Sequence, residues 1–224
     1  MPYRIAQFIV IPLLKKISDN VCGINNLPKP PFIIASNHIT QIDALPIIAN
    51  VFSVHKKKVY YIMRQTRTDN PLTRIAVAWA GCIVVDNQNK SRVIEDAVNI
   101  LNKGNIVGIF PEGARNSRKN SQNLLKGKTG VARIAHRTGF PVVPISIKAS
   151  PEPHRIDDLG NEFSYFPDAL FSLFFEKNRI SLNIGKPISF EKIPKNELDY
   201  KTITETTEKI MKSIGSLCGK TYPY

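Results

Sequence analysis

Short apolar runs alternate along this chain with longer segments in which apolar residues recur every three or four positions. The short runs are typical of buried strands, and the longer segments are typical of helices that pack on a sheet. The predicted strands are Phe32–Ala35, Val59–Met63, Cys82–Val85, Ile106–Phe110, Val142–Ile147 and Ile180–Ile184. This alternation predicts a single α/β domain with a mixed, mostly parallel central sheet flanked by helices.

Three helices are predicted between and after these strands. The first covers residues 92–102, with Ser91 available as an N-terminal cap and Gly104 as a stop. The second covers residues 128–138, and the third covers residues 199–217. Each has an apolar stripe at helical spacing, which is expected to pack on the sheet.

The first 26 residues are predicted to form a segment ahead of a domain that covers residues 27–224. Residues 3–17 have the pattern of a short amphipathic helix, which Pro12 interrupts. Two interpretations stay open for this helix: docking on a membrane surface, or packing on the domain. The most apolar stretch, residues 8–14, falls far short of the roughly 20 residues that span a bilayer. No small-residue cleavage site follows it. We therefore predict neither a transmembrane span nor a signal peptide.

Charge is distributed unevenly along the 224 residues, whose formal net charge is +13. Residues 1–150 hold 21 Lys and Arg against 7 Asp and Glu, whereas residues 151–224 hold 10 against 11. A basic surface of this kind attracts nucleic acid, anionic lipid headgroups or phosphorylated ligands. The sequence has no zinc-finger pattern, aromatic RNA-binding signature or basic heptad helix. Lipid or phosphorylated ligands are therefore favoured, and no nucleic-acid partner is expected.

Three cysteines, Cys22, Cys82 and Cys218, lie far apart in the sequence. Their number is odd and no Cys-x2-Cys spacing occurs, so neither a disulfide framework nor a zinc site is indicated. Buried structural thiols in a reducing, cytosolic setting are the interpretation that fits all three. No other ligand spacing implies a metal or a cofactor.

Residues 150–178 differ in composition from the rest of the chain. Proline and acidic residues come first, and an aromatic cluster follows: Phe163, Tyr165, Phe166, Phe171, Phe174 and Phe175. Two interpretations stay open, a contribution to the core or an apolar lip that touches a membrane or an acyl chain.

A histidine and an aspartate lie five positions apart in Asn37-His38-Ile39-Thr40-Gln41-Ile42-Asp43, directly after the first predicted strand. Five residues along a regular helix turn the side chain by about 140°. The two side chains therefore meet only if His38 precedes a helix that begins near Thr40 and contains Asp43. An imidazole held by a carboxylate on one ring nitrogen is suited to remove a proton from an attacking hydroxyl with the other. The alternative is that His38 caps a helix and Asp43 is a first-turn carboxylate.

A second polar run, Phe110-Pro111-Glu112-Gly113-Ala114-Arg115, follows the predicted strand Ile106–Phe110. Open α/β sheets bind ligands at the carboxyl ends of their strands, and the planar guanidinium of Arg115 suits two-point binding of phosphate. Gly113 allows close approach of the backbone, and Glu112 is expected to bind a ligand hydroxyl or to hold Arg115. Four further cations crowd the region: Arg118, Lys119, Lys126 and Lys128. The alternative is a surface Glu–Arg pair that contributes little.

Together and in this order, the two motifs resemble those of the glycerolipid acyltransferase family, which includes the 1-acylglycerol-3-phosphate acyltransferases. The likeness extends roughly from Leu27 to Ile147 and includes the strand segment Val142-Val143-Pro144-Ile145. It implies a general base at His38 that Asp43 orients. The implied acceptor-binding positions are Glu112, Gly113 and Arg115, to which we add Lys126 for its charge.

The resemblance also implies a reaction and its partners. Enzymes of this family transfer a fatty acyl group from acyl-CoA or an acyl-carrier protein to a lysophospholipid or glycerol phosphate. We therefore expect a peripheral enzyme on the cytoplasmic face of an anionic membrane.

Two positions depart from the family pattern. Ala114 replaces a frequent threonine, and Asn87 follows Asp86 where the family usually has arginine. Asn87 leaves a different lysolipid or a glycolipid open as the acceptor. A non-catalytic basic protein that binds lipid or nucleic acid is the alternative from another functional class.

Overall fold

The computed structural model describes residues 11, 12, 15, 18–39, 43–64, 82–85, 90–116, 122–150 and 179–224. The strands in these residues are β1 (Ser18–Cys22), β2 (Phe32–Ser36), β3 (Val59–Arg64), β4 (Ile83–Val85), β5 (Ile106–Ile109), β6 (Val142–Ser150) and β7 (Arg179–Ile184). They form a sheet in the order β1-β7-β6-β2-β5-β3-β4. All neighbouring strands are parallel except β6 and β7. The prediction of a mixed, mostly parallel sheet is confirmed.

The helices in the described residues are α1 (Ala44–His55), α2 (Lys90–Asn102), α3 (Gly130–Thr138) and α4 (Tyr200–Cys218), with a short 3-10 helix at Ile24–Asn26. Asp199 caps α4, because its side chain accepts a hydrogen bond from the backbone N–H of Thr202 at 2.8 Å. Gly139 ends α3 in the left-handed conformation, with φ of 71°, which glycine adopts without a steric penalty.

Strand β2 lies at the centre of the sheet and is buried on both faces. Phe32 and Ile34 pack in one apolar cluster with residues of α1, and Ile33 and Ala35 pack in another with residues of α2, α3 and α4. All four side chains are fully buried. The sheet therefore has helices on both faces, which is why its central strand is a continuous apolar run.

The register of β2 and β5 determines where the candidate site forms. These neighbours are parallel, with Phe32 opposite Ile106 and Ala35 opposite Ile109. The residues that follow Ser36 and Ile109 consequently leave the sheet at the same edge, at the carboxyl ends of the parallel strands. The two polar motifs of the sequence begin at these points.

Several elements differ from the sequence prediction. Strand β1 was missed because Ser18–Cys22 is mostly polar and lies at the edge of the sheet beside β7. Helix α2 begins at Lys90, so Ser91 lies inside the helix and is not its cap. Helix α1 begins at Ala44, after the expected start near Thr40. Strand β6 continues to Ser150 because it pairs with β7 along that length.

The prediction of three buried cysteines is wrong for two of them. Cys218 is buried, whereas Cys22 is exposed at the end of β1 and Cys82 is half-buried just before β4. Among the strands that the structure describes, β1 and β4 lie at the two ends of the order and have a neighbour on one side only. All three thiols are free.

Some predictions concern residues outside the described ranges. These are most of the helix over residues 3–17, the aromatic cluster in residues 150–178, and Asn87. Residues 18–22 fall within the segment 1–26 that was predicted to dock on a membrane, and they pair with β7 in the sheet. None of the helices that the structure describes is both long enough and apolar enough to cross a bilayer.

Candidate active site

His38 and Asp43 are in direct contact at the carboxyl edge of the sheet. Nδ1 of His38 lies 2.9 Å from Oδ2 of Asp43. The imidazole is 20% exposed, whereas the carboxylate is fully buried. With Nδ1 bound to the carboxylate, Nε2 points away from it, and no group within the described part of the chain hydrogen-bonds to Nε2. This arrangement can accept a proton from a hydroxyl at Nε2.

The backbone before α1 explains how the two side chains meet. Asp43 precedes the first residue of α1, and its side chain makes no cap hydrogen bond to that helix. Instead, Oδ2 accepts the backbone N–H of Ile39 at 2.6 Å as well as the contact from His38. The carboxylate therefore turns back toward the backbone of the loop that contains His38 and Ile39. The alternative of an ordinary helix cap with a first-turn carboxylate does not fit this geometry.

The backbone around His38 is held by neighbours from two other parts of the sheet. The side chain of Asn37 donates to the carbonyl of Ile147 in β6 at 2.9 Å and accepts its N–H at 2.8 Å. The carbonyl of His38 accepts the N–H of Asn116 at 2.7 Å. The N–H of His38 donates to Oε1 of Glu112 at 3.1 Å. The position of the imidazole thus depends on β6 and on the loop after β5.

Phe110 supports one face of the imidazole. The two rings are stacked, with centroids 4.1 Å apart and an angle of 12° between their planes. The ring of Tyr61 in β3 packs on Phe110 in turn, at a centroid distance of 5.1 Å. Stacking restricts rotation of the histidine ring while leaving its edge accessible.

Glu112 is buried and both of its carboxylate oxygens accept backbone hydrogen bonds. Oε1 binds the N–H of His38, and Oε2 binds the N–H of Leu125 at 2.8 Å. Burial raises the pKa of Glu112, while these two N–H groups and the electrostatic influence of His38 and Lys220 act in the opposite direction. The sequence led us to expect a ligand hydroxyl or Arg115 as its partner. The structure shows it joining the loop of His38 to residues 122–128.

Gly113 makes a tight turn in the second motif. Its φ is 64°, a left-handed conformation that favours glycine. Its N–H donates to the carbonyl of Phe110 at 3.0 Å. The side chain of Lys128 lies across the turn, so that a methyl group added to Gly113 would be 2.5 Å from Nζ. Because Gly113 has no side chain, the ammonium group of Lys128 can lie directly over this turn.

The other predicted anion-binding residues are distributed around this turn. Arg115 is half-buried at the end of the motif, and Lys126 is exposed on the loop before α3. Arg118, Lys119 and Asn87 lie outside the described residues. The structure therefore brings His38, Asp43, Glu112 and Gly113 into one connected site and places Lys126 at its margin.

Sequence reasoning missed several residues that build this site. Asn37 and Asn116 hold the loop of His38, although each adjoins a motif that the sequence analysis singled out. Ser36 and Tyr61 were also missed. Both hydroxyl groups are buried, and neither makes a hydrogen bond of good geometry within the described residues. Burial raises the pKa of Tyr61 above its usual range, the neighbouring hydroxyl of Ser36 acts in the opposite direction, and the charge of Asp43 adds to the effect of burial. These hydroxyls thus lie close to the His38–Asp43 pair.

The sequence of this chain is similar to those of known acyltransferases. A sequence model of the family described as Acyltransferase matches residues 19–148. The 1-acyl-sn-glycerol-3-phosphate acyltransferase of Bacillus subtilis is 24% identical over 194 residues, which cover 84% of this chain and 84% of that protein. The enzyme of the same name from Saccharomyces cerevisiae is 23% identical over 84% of this chain and 57% of its own length.

A further relative is the probable 1-acyl-sn-glycerol-3-phosphate acyltransferase of Mycoplasma pneumoniae, which is 24% identical over 66% of this chain. The chain spans only 55% of that protein's length. Among solved structures, the 1-acyl-sn-glycerophosphate (LPA) acyltransferase PlsC of Thermotoga maritima has the same fold, with a TM-score of 0.60. The two sequences are 21% identical, and the match covers 97% of this chain and 83% of that one. The family match covers more than half of the chain and includes both polar motifs, and so this protein belongs to the Acyltransferase family.

Proposed function

We propose that this protein is an O-acyltransferase that moves a fatty acyl group from a thioester donor to the free hydroxyl of a lysophospholipid. The preferred acceptor is 1-acylglycerol-3-phosphate, which the reaction converts to phosphatidic acid. The observation that carries this proposal is the contact between Nδ1 of His38 and Oδ2 of Asp43. This contact lies beside the turn at Gly113, which the side chain of Lys128 covers and which Arg115 follows in the sequence.

His38 acts as the general base in this proposal. Nε2 removes the proton of the acceptor hydroxyl while its oxygen attacks the thioester carbonyl carbon. The new carbon–oxygen bond forms, the carbon–sulfur bond breaks, and the proton passes from Nε2 to the departing thiolate. Asp43 holds the ring with Nε2 toward the acceptor and stabilises the imidazolium between the two proton transfers. No covalent acyl-enzyme is needed, because the acceptor oxygen is itself the nucleophile.

The acceptor's phosphate is bound at the loop after β5. Arg115 supplies the two-point contact that its planar guanidinium favours. Gly113 and Lys128 present a close backbone turn and an ammonium group, and Lys126 adds charge at the margin of the site. Glu112 serves the acceptor indirectly, because its carboxylate joins this loop to the backbone of His38.

The donor is acyl-CoA or an acyl-carrier protein, and the protein works at the cytoplasmic face of an anionic membrane. The acceptor is a lipid, so the carboxyl edge of the sheet must face the membrane for His38 to reach it. The charge of the chain supports this orientation, since the excess of Lys and Arg lies in residues 1–150, which contain both motifs. Exposed cations near an anionic bilayer contribute to surface binding.

The test is release of free thiol from palmitoyl-CoA by the purified protein in detergent micelles. The acceptors are lysophosphatidate, glycerol 3-phosphate and lysophosphatidylcholine, each offered separately. Release of thiol with lysophosphatidate alone supports the proposal as stated. Release with another acceptor shows that the acyl-transfer reaction is right and that the acceptor is a different molecule. If no acceptor releases thiol from palmitoyl-CoA or a palmitoylated carrier protein, the protein is not an acyltransferase under these conditions. The non-catalytic alternative then takes precedence.

A further inference from the structure

The imidazole of His38 is held at one nitrogen and on one face by two different residues. Oδ2 of Asp43 lies 2.9 Å from Nδ1. A hydrogen bond to a single ring nitrogen restricts the position of that atom more than it restricts the plane of the ring. The ring of Phe110, stacked at a centroid distance of 4.1 Å and an angle of 12°, restricts the plane. The direction of Nε2 therefore depends on Phe110 as well as on Asp43.

Phe110 is supported in turn by Tyr61. Phe110 follows the last residue of β5 and is half-buried, whereas Tyr61 in β3 is 3% exposed. The two rings have centroids 5.1 Å apart and planes inclined by 31°, a tilted geometry that aromatic pairs favour. The rings of Tyr61, Phe110 and His38 thus form a continuous series from the core to the candidate site. We call these three rings the aromatic stack.

The register of β3 and β5 explains why the rings of Tyr61 and Phe110 meet. The two strands are parallel, with Tyr61 opposite Gly108. Gly108 and Phe110 are two positions apart, so they face the same side of the sheet. Tyr61 and Phe110 belong to the apolar cluster that contains residues of α1. The ring of Tyr61 therefore extends over Gly108 on the same face as the ring of Phe110.

Gly108 leaves the space that the ring of Tyr61 occupies. A methyl group on Gly108 would lie 2.6 Å from two carbons of that ring, whereas non-bonded carbon atoms are in contact at about 3.5–4.0 Å. Gly108 is buried within β5, and a glycine inside a strand weakens it but allows a close approach to the backbone. Any side chain at position 108 would displace the Tyr61 ring.

We propose that Tyr61 is a positioning residue for the acyl-transfer reaction, whose ring lies over Gly108 and holds Phe110 against the imidazole of His38. This role rests on the proposed function, because the residue that it positions is the proposed general base. Tyr61 acts on His38 through Phe110. Its hydroxyl makes no hydrogen bond of good geometry within the described residues, and so the role belongs to the ring.

The first readout is the NMR chemical shift of the ring protons of His38, measured on the full chain at a fixed pH. Protons that lie over the face of an aromatic ring are shifted upfield, so these resonances report the stack whether or not the protein is active. We expect Tyr61→Leu and Gly108→Ala to move them downfield, toward the values of an unstacked histidine. Tyr61→Phe keeps the ring and should restore the wild-type shifts.

Tyr60→Leu is the matched control. Tyr60 is the neighbour of Tyr61 in β3, is half-buried, and packs in the cluster on the opposite face of the sheet. The same substitution there removes an aromatic ring from the same strand without touching the aromatic stack. We expect the ring protons of His38 to keep their wild-type shifts in this variant.

The second readout is kcat and KM for acyl transfer from palmitoyl-CoA to lysophosphatidate. We expect Tyr61→Leu to lower kcat by about three- to tenfold, the effect expected from loss of one aromatic contact. The KM of each substrate should stay unchanged, because Tyr61 is buried. Tyr61→Phe should recover kcat, and Tyr60→Leu should retain it. In a double-mutant cycle, Tyr61→Leu should add little further loss to Phe110→Leu, because it acts through that ring.

Three results overturn the inference. Unchanged ring-proton shifts of His38 in Tyr61→Leu show that Tyr61 does not maintain the stack, and this variant decides the test if Gly108→Ala does not fold. Equal losses of kcat in Tyr60→Leu and Tyr61→Leu show a general effect on β3. An equal loss in Tyr61→Phe and Tyr61→Leu assigns the effect to the hydroxyl. Failure of the proposed function is a distinct outcome, in which the wild-type protein transfers no acyl group although the His38 shifts still respond to Tyr61→Leu.

Discussion

The carboxylate of Glu112 binds the backbone N–H of His38 at 3.1 Å, across 74 residues of sequence. This contact joins the motif after β5 to the motif after β2. Glu112 also binds the N–H of Leu125, so that a single buried side chain fixes the loop of the proposed base and the loop beside the proposed phosphate site. We infer that the two motifs occur together because each supports the geometry of the other.

Glu112→Gln tests the effect of burial on this carboxyl group. Burial raises the pKa of Glu112 in the folded protein above the ordinary 4.5, so the folded state binds this proton more tightly than the unfolded chain does. The stability contributed by the protonated form is present below the ordinary pKa and is lost as the pH rises through the folded-state pKa. Glutamine does not titrate, so its contribution to the free energy of unfolding does not change with pH. The free energy of unfolding of the wild type, relative to Glu112→Gln, should therefore decrease with rising pH across this window. Urea titrations at several pH values check this, and a difference that stays constant contradicts it.

Gly113→Ala tests the left-handed turn in the second motif. At a φ of 64°, alanine is strained, and its methyl group would displace the side chain of Lys128. We expect a loss of about 1 kcal/mol or more in the free energy of unfolding. Gly130→Ala is the control, since among the described residues a methyl group there would meet Ile109, at an ordinary contact distance of 3.6 Å. Alanine in this first helical turn should be neutral or stabilising. Equal effects of the two substitutions in thermal denaturation would show that the turn does not require glycine.

Tyr61→Phe tests the buried hydroxyl beside the His38–Asp43 pair. The phenol makes no hydrogen bond of good geometry within the described residues, although the hydroxyl of Ser36 is a close neighbour, and a poorly satisfied buried hydroxyl destabilises a fold. Its removal should raise the free energy of unfolding by about 1 kcal/mol. Tyr60→Phe is the matched control on the opposite face of β3, where the ring is half-buried, and it should change stability by less than about 0.5 kcal/mol. If Tyr61→Phe is destabilising in urea, the hydroxyl has a partner that compensates its burial.

Arg115→Gln tests the proposed phosphate site. Loss of the guanidinium should raise the KM for lysophosphatidate by roughly tenfold or more, because a charge-assisted hydrogen bond contributes about 1.5–3 kcal/mol. The effect on kcat should be smaller, since His38 and Asp43 remain in place. Lys103→Gln provides the control: Lys103 is exposed beyond α2, at the amino edge of the sheet. Acceptor saturation curves that coincide for Arg115→Gln and the wild type would exclude Arg115 as the phosphate ligand.

The sequence predicted the elements whose structure depends on residues that are close together in the chain. Strand β2 is an apolar run because both of its faces are buried. Helix α4 has an apolar stripe because one of its faces is buried. The contact between His38 and Asp43 was predicted from a helix that would contain Asp43, whereas Asp43 precedes Ala44, the first residue of α1. Strand β1 was not predictable in this way, since its sequence Ser18–Cys22 has no apolar pattern and its pairing with β7 depends on residues about 160 positions away.

The role of Glu112 shows the limit of the same reasoning at the site. A sequence motif indicates that a carboxylate lies near a glycine and an arginine, and it suggests a local partner. The actual partners of Glu112 are backbone groups of His38 and Leu125, which only the packing of three separate segments brings together. Tyr61 was missed for a similar reason, because its proximity to Phe110 follows from the order β5-β3 in the sheet.

The proposed role of His38 is the central claim, and His38→Ala tests it most directly. The measurement is turnover of palmitoyl-CoA with lysophosphatidate, with His55→Gln as a control at the far end of α1. We predict that His38→Ala lowers turnover by roughly 10²–10⁴-fold, the usual contribution of a general base, while His55→Gln retains activity close to that of the wild type. A folded His38→Ala protein with wild-type turnover would contradict the mechanism.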